Sequence, residues 1–133
     1  MNAPDLARLL LRLTVAGLML PHGLHKLHGG VGKLGDMAAS HGLPHFIGYG
    51  VYLGEIIAPA LVLLGLWTRP AALVMAINMV IAVWLAHSGD LLTMSKSGGY
   101  ALELQAFYFF GPICIALLGA GRYAVRRGVS RLD

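Results

Sequence analysis

One carboxylate stands inside a long apolar run: Glu55, in the segment GYGVYLGEIIAPALVLLGLW at 48–67. A charge in a hydrocarbon layer is costly unless it is protonated, paired or facing water, so such a residue is a functional-site hypothesis by default. Pro59 follows four residues later and has no amide hydrogen, which deprives the Glu55 carbonyl of its helical donor. A carboxylate and a spare carbonyl together suit a proton, a cation or a polar ligand group. The structural alternative is an ion pair with Lys26 or His22 that fixes one helix against the next.

His22, His25 and His28 recur every three residues, and His22 and Lys26, four apart, share a helical face. Histidine exchanges protons near neutral pH, which suits a shuttle. A metal site would require His22, His25 and Glu55 or Glu103 to converge; H-x-x-H without a thiol is no fixed motif, and no metal is assigned. The candidate catalytic set is therefore Glu55, His22 and Lys26. Asn78, His87 and Glu103 join these three as candidate cofactor-binding residues. Glu103 has a second reading, as a favourable charge at a helix amino end, worth about 0.3–1 kcal/mol. The run Phe107, Tyr108, Phe109, Phe110 reads as lipid-facing or core; a flat quinone ring can stack on it, though aromatic runs are not specific.

The elements that must position these residues are membrane crossings. The 133 residues are 57% hydrophobic and 12% charged, with a mean hydropathy of +0.71. A water-soluble domain this small exposes too much surface for that composition. At about 20 residues per crossing, the chain accommodates four helices in one all-α domain spanning 1–133. The expected crossings are 6–27, 45–67, 71–86 and 101–120. The first resembles the centre of a signal peptide but lacks a small-residue cleavage signal, so it is read as retained. Pro21 is expected to interrupt its outer end, while Arg8 and Arg12 snorkel to the near interface. The stretch 28–44 is a loop with a possible short amphipathic helix, and Thr68-Arg69-Pro70 makes a tight turn between the second and third crossings.

Charge bias sets the direction. With both termini cytoplasmic, that side receives Arg8, Arg12, Arg69, Arg122, Arg126, Arg127 and Arg131, and the other receives Lys26, Lys33 and Lys96. This orientation collects His22, Lys26, Glu55, His87, Glu103 and Gln105 in the outer half, with Asn78 as the floor of an outward cavity. The pI near 9.6 raises nucleic acid as a partner, but the terminal arginines follow an apolar run and suit anionic lipid headgroups instead. Cys114 is the sole cysteine, which excludes an internal disulfide or a CxxC redox pair. Abundant glycine permits close helix contacts and a homodimer.

Three segments carry a family resemblance: RLTVAGLMLPHGLHKL at 12–27, GEIIAPALVLLGLWTRPAAL at 54–73 and GAGRYAVRR at 119–127. In these the chain resembles the DoxX family of small four-helix bacterial membrane proteins. By the family's pattern Arg12 opens the first motif and His22, Gly23 and Lys26 close it as HG-x-x-K. Glu55 matches the acidic residue of the second crossing, Gly65, Thr68 and Arg69 its G-x-x-T-R exit, and Gly119 and Gly121 the final G-x-G. Ala58-Pro59 departs from the glycine pair that commonly follows the glutamate. The resemblance implies a multi-pass protein of the bacterial inner membrane and a redox-complex subunit, since a family relative is described as the small membrane subunit of a thiosulfate:quinone oxidoreductase.

The expected function is thus a membrane subunit or anchor of an oxidoreductase, interacting with quinone through the outward cavity. Glu55 and His22 would handle a proton or hydrogen-bond a quinone oxygen, and Lys26 would offset the carboxylate. The chain has no recognisable flavin, haem or iron–sulfur motif, so any electron-carrying cofactor belongs in a partner subunit. Whether the chain itself is an enzyme stays open. The alternatives are a transporter or sensor for a proton or small polar molecule, with Glu55 as its gate, and a scaffold whose polar network only specifies assembly.

Overall fold

The computed structural model describes residues 2–125 and Leu132; Arg126, Arg127 and Arg131, counted in the charge bias, lie outside the described residues. Among the described residues the fold is all-α. Helix α1 spans Ala3–Gly29 and α2 Gly32–Ser40. The next helical segment, His45–Leu64, is a composite of a 3-10 stretch His45–Tyr49, α3 (Gly50–Tyr52), a π-helical turn Leu53–Ile57 and α4 (Ala58–Leu64). Helix α5 covers Thr68–Ala86 and α6 Glu103–Leu118. Helix α1 packs on α4 and α6, and α5 packs on α4 and α6.

Two helices, His45–Leu64 and Thr68–Ala86, are long and apolar enough to cross a membrane. Only 33% and 28% of their most apolar windows are buried, whereas a helix hydrophobic all round in a water-soluble protein lies in the core. Their exposed faces carry Leu53, Ile57, Ile77 and Ile81, and α6 exposes Phe110 and Leu117. Apolar surface of this extent suits lipid.

The helices differ from the sequence expectation at their ends. Pro21 does not interrupt α1, which continues to Gly29; proline removes one hydrogen bond from a 27-residue helix whose flanking turns persist. Helix α5 begins at Thr68, not 71, with Pro70 in its first turn, where its missing amide hydrogen is harmless. The turn before it is therefore only Gly65, Leu66 and Trp67. Gly65 takes a left-handed conformation (φ 71°), and the Leu66 amide reaches back to Leu61 while the Gly65 amide reaches Val62. This is the Schellman closure that glycine favours.

Arg12 corrects the snorkelling expectation. It is 1% exposed and donates Nε to the Val62 carbonyl (2.8 Å), Nη2 to Leu63 (2.8 Å), and Nη1 to Ala120 (2.7 Å) and Tyr123 (2.9 Å). The Val125 amide bonds the Leu64 carbonyl. Each of the last four carbonyls of α4 therefore has a donor, which satisfies the groups a helix end leaves unpaired. Arg69 does the same for α6, donating Nη1 to Ala116 and Leu117. Arg8 pairs with the buried Asp5 at 2.9 Å. Arg12 and Arg69 thus close the ends of neighbouring helices, while Arg8 neutralises a buried carboxylate on its own helix.

Candidate functional site

At the opposite end, Glu55 is 3% exposed and forms an ion pair with Lys26, whose Nζ lies 2.5 and 2.7 Å from the two carboxylate oxygens. Asn78 Nδ2 stands 3.5 Å from Oε1, a long contact. The Tyr52 hydroxyl donates to the Lys26 carbonyl at 3.2 Å and ties the end of α1 to the second segment.

Local sequence explains how these groups meet. Pro59 cannot donate to the Glu55 carbonyl, and its ring would crowd that oxygen in a regular α-helix. The chain widens into the π turn Leu53–Ile57, in which the Ala58 amide bonds the Leu53 carbonyl; such turns are frequent at functional sites. The Glu55 carbonyl then faces Gly23 of α1. A Cβ at Gly23 would lie 2.6 Å from that oxygen and 2.6 Å from Ile56 Cγ1. The glycine thus lets α1 approach until Lys26, one turn on, meets the carboxylate. Gly54 makes room similarly for the Asn78 side chain, which a Cβ there would overlap.

Replacing Gly23 with alanine is expected to push α1 off the π turn and cost about 1–3 kcal/mol, as overpacking does. Gly17→Ala is the control: its Cβ would meet nothing within 4 Å. Thermal unfolding in detergent checks both; equal midpoints would mean the close approach carries no load.

Two cavities meet at the pair. The first, about 340 Å³, lies between α1, α5 and α6 and is lined by His22, Lys26, Glu55, His87, Gln105 and Tyr108 together with apolar side chains including Met19, Met79 and Leu104. The second, also about 340 Å³, lies between the 46–55 stretch and α5, and Asn78, Lys26 and Glu55 are its polar members. Leu34 of α2, Ala82 and Leu85 line both. These volumes suit a small organic ligand.

Of the expected site residues, Glu55, Lys26 and His22 are brought together around the first cavity, and His87 lies at its wall, 3.2 Å from Asp90. Asn78 reaches the pair from the second cavity instead. Glu103 lines neither; it is the first residue of α6, exposed, where its charge faces the helix amino end. His25 is also exposed and lines neither. Among the described residues no three His, Cys, Asp or Glu side chains form a metal-holding group.

Tyr108, read from the sequence only as one member of an aromatic run, was not among the expected site residues. It is 4% exposed, its ring meets His22 edge-on at 5.7 Å, and its hydroxyl has no hydrogen-bond partner among the described residues. Its position one helical turn after Leu104 and Gln105 was the available signal; the flanking phenylalanines masked it.

The sequence model of the DoxX family matches residues 7–88, which include both the HG-x-x-K segment and the Glu55 segment. The chain belongs to the DoxX family. It is also similar to a protein of Haemophilus influenzae named only as uncharacterized, 31% identical over 125 residues covering 86% of this chain and 84% of the relative. No solved structure matches. The DoxX match covers Arg12, Gly65, Thr68 and Arg69 as well, so its shared segment contributes to both ends of the molecule: a sealing arginine network at one and the Lys26–Glu55 pair at the other.

Proposed function

We propose that this DoxX protein is a four-crossing, N-in and C-in inner-membrane subunit of an oxidoreductase complex, binding a quinone headgroup at the Lys26–Glu55 pair. Exposed apolar side chains along α1, His45–Leu64, α5 and α6 support four crossings. Clustering of Arg8, Arg12, Arg69 and Arg122 near the end of α6 supports the orientation.

The observation that carries the ligand reading is a mostly apolar cavity with a partnerless Tyr108 hydroxyl, His22 and a buried ion pair converging on one space. Apolar walls with a few convergent polar groups are what a flat, two-oxygen ring requires. In this reading Tyr108 donates to one quinone oxygen, Lys26 and Glu55 orient the ring, and His22 exchanges protons with the outer solution. Reduction of a quinone consumes two electrons and two protons; the electrons come from a redox centre in a partner subunit.

Gentle purification from native membranes, with mass spectrometry of bound small molecules and co-purifying proteins, tests this. A retained quinone and an oxidoreductase subunit are expected, with quinone occupancy falling about tenfold in Glu55→Gln, the equivalent of about 1.4 kcal/mol. A chain that retains neither, yet carries electrogenic flux in pure liposomes, would overturn the proposal in favour of transport.

A further inference from the structure

The two cavities differ in what surrounds them. Around the first, His22 is exposed, Lys26 is partly so, and His87 and Gln105 add polar groups, with Leu104 its one exposed large apolar side chain among the described residues. Around the second, the exposed side chains are apolar: Phe46 at 67%, Leu53 at 51%, Ile77 at 58% and Ile81 at 41%. These residues sit on the lipid-facing surfaces of the two helices that are long and apolar enough to cross a membrane. The second cavity is therefore a slot between adjacent crossings, open sideways to hydrocarbon, whose inner wall is the Lys26–Glu55 pair. Gly48, Gly50 and Gly54 line it and keep it free of side chains.

Resting on the quinone reading, we propose that this slot is a lateral portal. The isoprenoid tail of a lipid-soluble quinone lies in it and runs out into the bilayer, while the headgroup reaches the pair and the first cavity supplies water and protons from the outer face. The Lys26–Glu55 pair is then the partition between a lipid-side and a water-side approach to one site. Burial explains why the division matters: a ligand with a long hydrocarbon tail gains nothing by leaving the bilayer, whereas protons need a wetted path. Neither cavity alone serves both.

Two carbodiimides read the two approaches without any quinone. Dicyclohexylcarbodiimide partitions into lipid, a quaternary-ammonium carbodiimide stays in water, and both modify accessible carboxyl groups. In open membrane fragments, with both faces accessible, modification of Glu55 is followed by peptide mass spectrometry at mildly acidic pH. Gly50→Trp adds an indole at the lining of the slot: the backbone there is αR and a Cβ meets nothing within 4 Å. It is expected to slow the lipid-soluble reagent about tenfold, equivalent to about 1.4 kcal/mol in the barrier, and to leave the water-soluble rate unchanged. Ala86→Trp, at the first cavity alone, is expected to do the reverse.

Each variant's undisturbed rate reports that its pair is still folded. If Gly50→Trp leaves the lipid-soluble rate unchanged, if either substitution slows both reagents alike, or if neither reagent reaches Glu55 in the native chain, the portal is overturned. Retention of quinone by the purified native protein is a separate readout, so loss of the portal and loss of the quinone reading are distinguishable.

Discussion

Replacing Arg12 with methionine should destabilise the folded protein by at least about 3 kcal/mol, at or beyond the upper end of what single substitutions usually cost. Methionine fills a similar volume but leaves four carbonyls, at Val62, Leu63, Ala120 and Tyr123, without the donor they now share. A buried polar group left without its hydrogen bond costs about 1–3 kcal/mol; the Val62 carbonyl keeps the Gly65 amide, and relaxation of the chain recovers only part of the other three losses. Arg12→Lys is the sharper variant. It keeps the charge, yet one ammonium has three donors on a single atom and cannot span carbonyls belonging to two chain ends. It should therefore fall nearly as far, as measured by denaturant unfolding in detergent. A lysine variant within about 1 kcal/mol of the native protein would show that charge, and not the planar fork, holds this end together.

Arg12 also shows where sequence reading reaches its limit. A positive residue near the end of an apolar run reads as snorkelling, because most do. Its burial depends on carbonyls about 50 and 108 positions away, and no local pattern encodes where two distant helices end. Gly65 was legible as a motif residue, whereas its reason was not: besides its left-handed turn, a Cβ there would stand 2.7 Å from Arg12 Nη2. The helical elements themselves were readable because hydropathy and proline or glycine punctuation are local, and they differ from expectation mainly by a few residues at their ends.

The site was legible in part for the same reason. Glu55 stands out by polarity alone, and the rise of a helix sets it at the depth of His22 and Lys26 once the crossings alternate. The π turn was foreshadowed by Pro59, though only as a freed carbonyl; that Gly23 would cover this oxygen required the packing of α1. Glu103 and Tyr108 were confused for a simpler cause. Five residues apart on one helix, they point to different faces, and polarity favoured the exposed carboxylate over the buried phenol. The division into two cavities was hidden because Leu34 and Ala82, which bound both, are indistinguishable in sequence from any other apolar residue.

The largest effect at the site is expected from separating Lys26 and Glu55, and the two single variants should not be equal. Lys26→Met leaves a carboxylate that is 3% exposed without its partner, a loss of about 3–5 kcal/mol by analogy with broken buried pairs. Glu55→Met strands an ammonium whose side chain is 31% exposed; it can turn to water, so the loss should be smaller. The double variant removes both charges and the desolvation each incurs. It should return to within about 1 kcal/mol of native stability, because apolar replacement of a whole buried pair is often neutral or stabilising. Stability and ligand retention then separate two roles that a single substitution confounds. A purely structural pair predicts that the double variant, once stable, keeps whatever the native protein binds. A binding site predicts a folded protein with an empty cavity, since neither methionine can orient a ligand oxygen or hold a proton. Unfolding midpoints of all four proteins, read beside mass spectrometry of bound quinone, decide between them; a stable double variant that still retains quinone would remove Lys26 and Glu55 from the site.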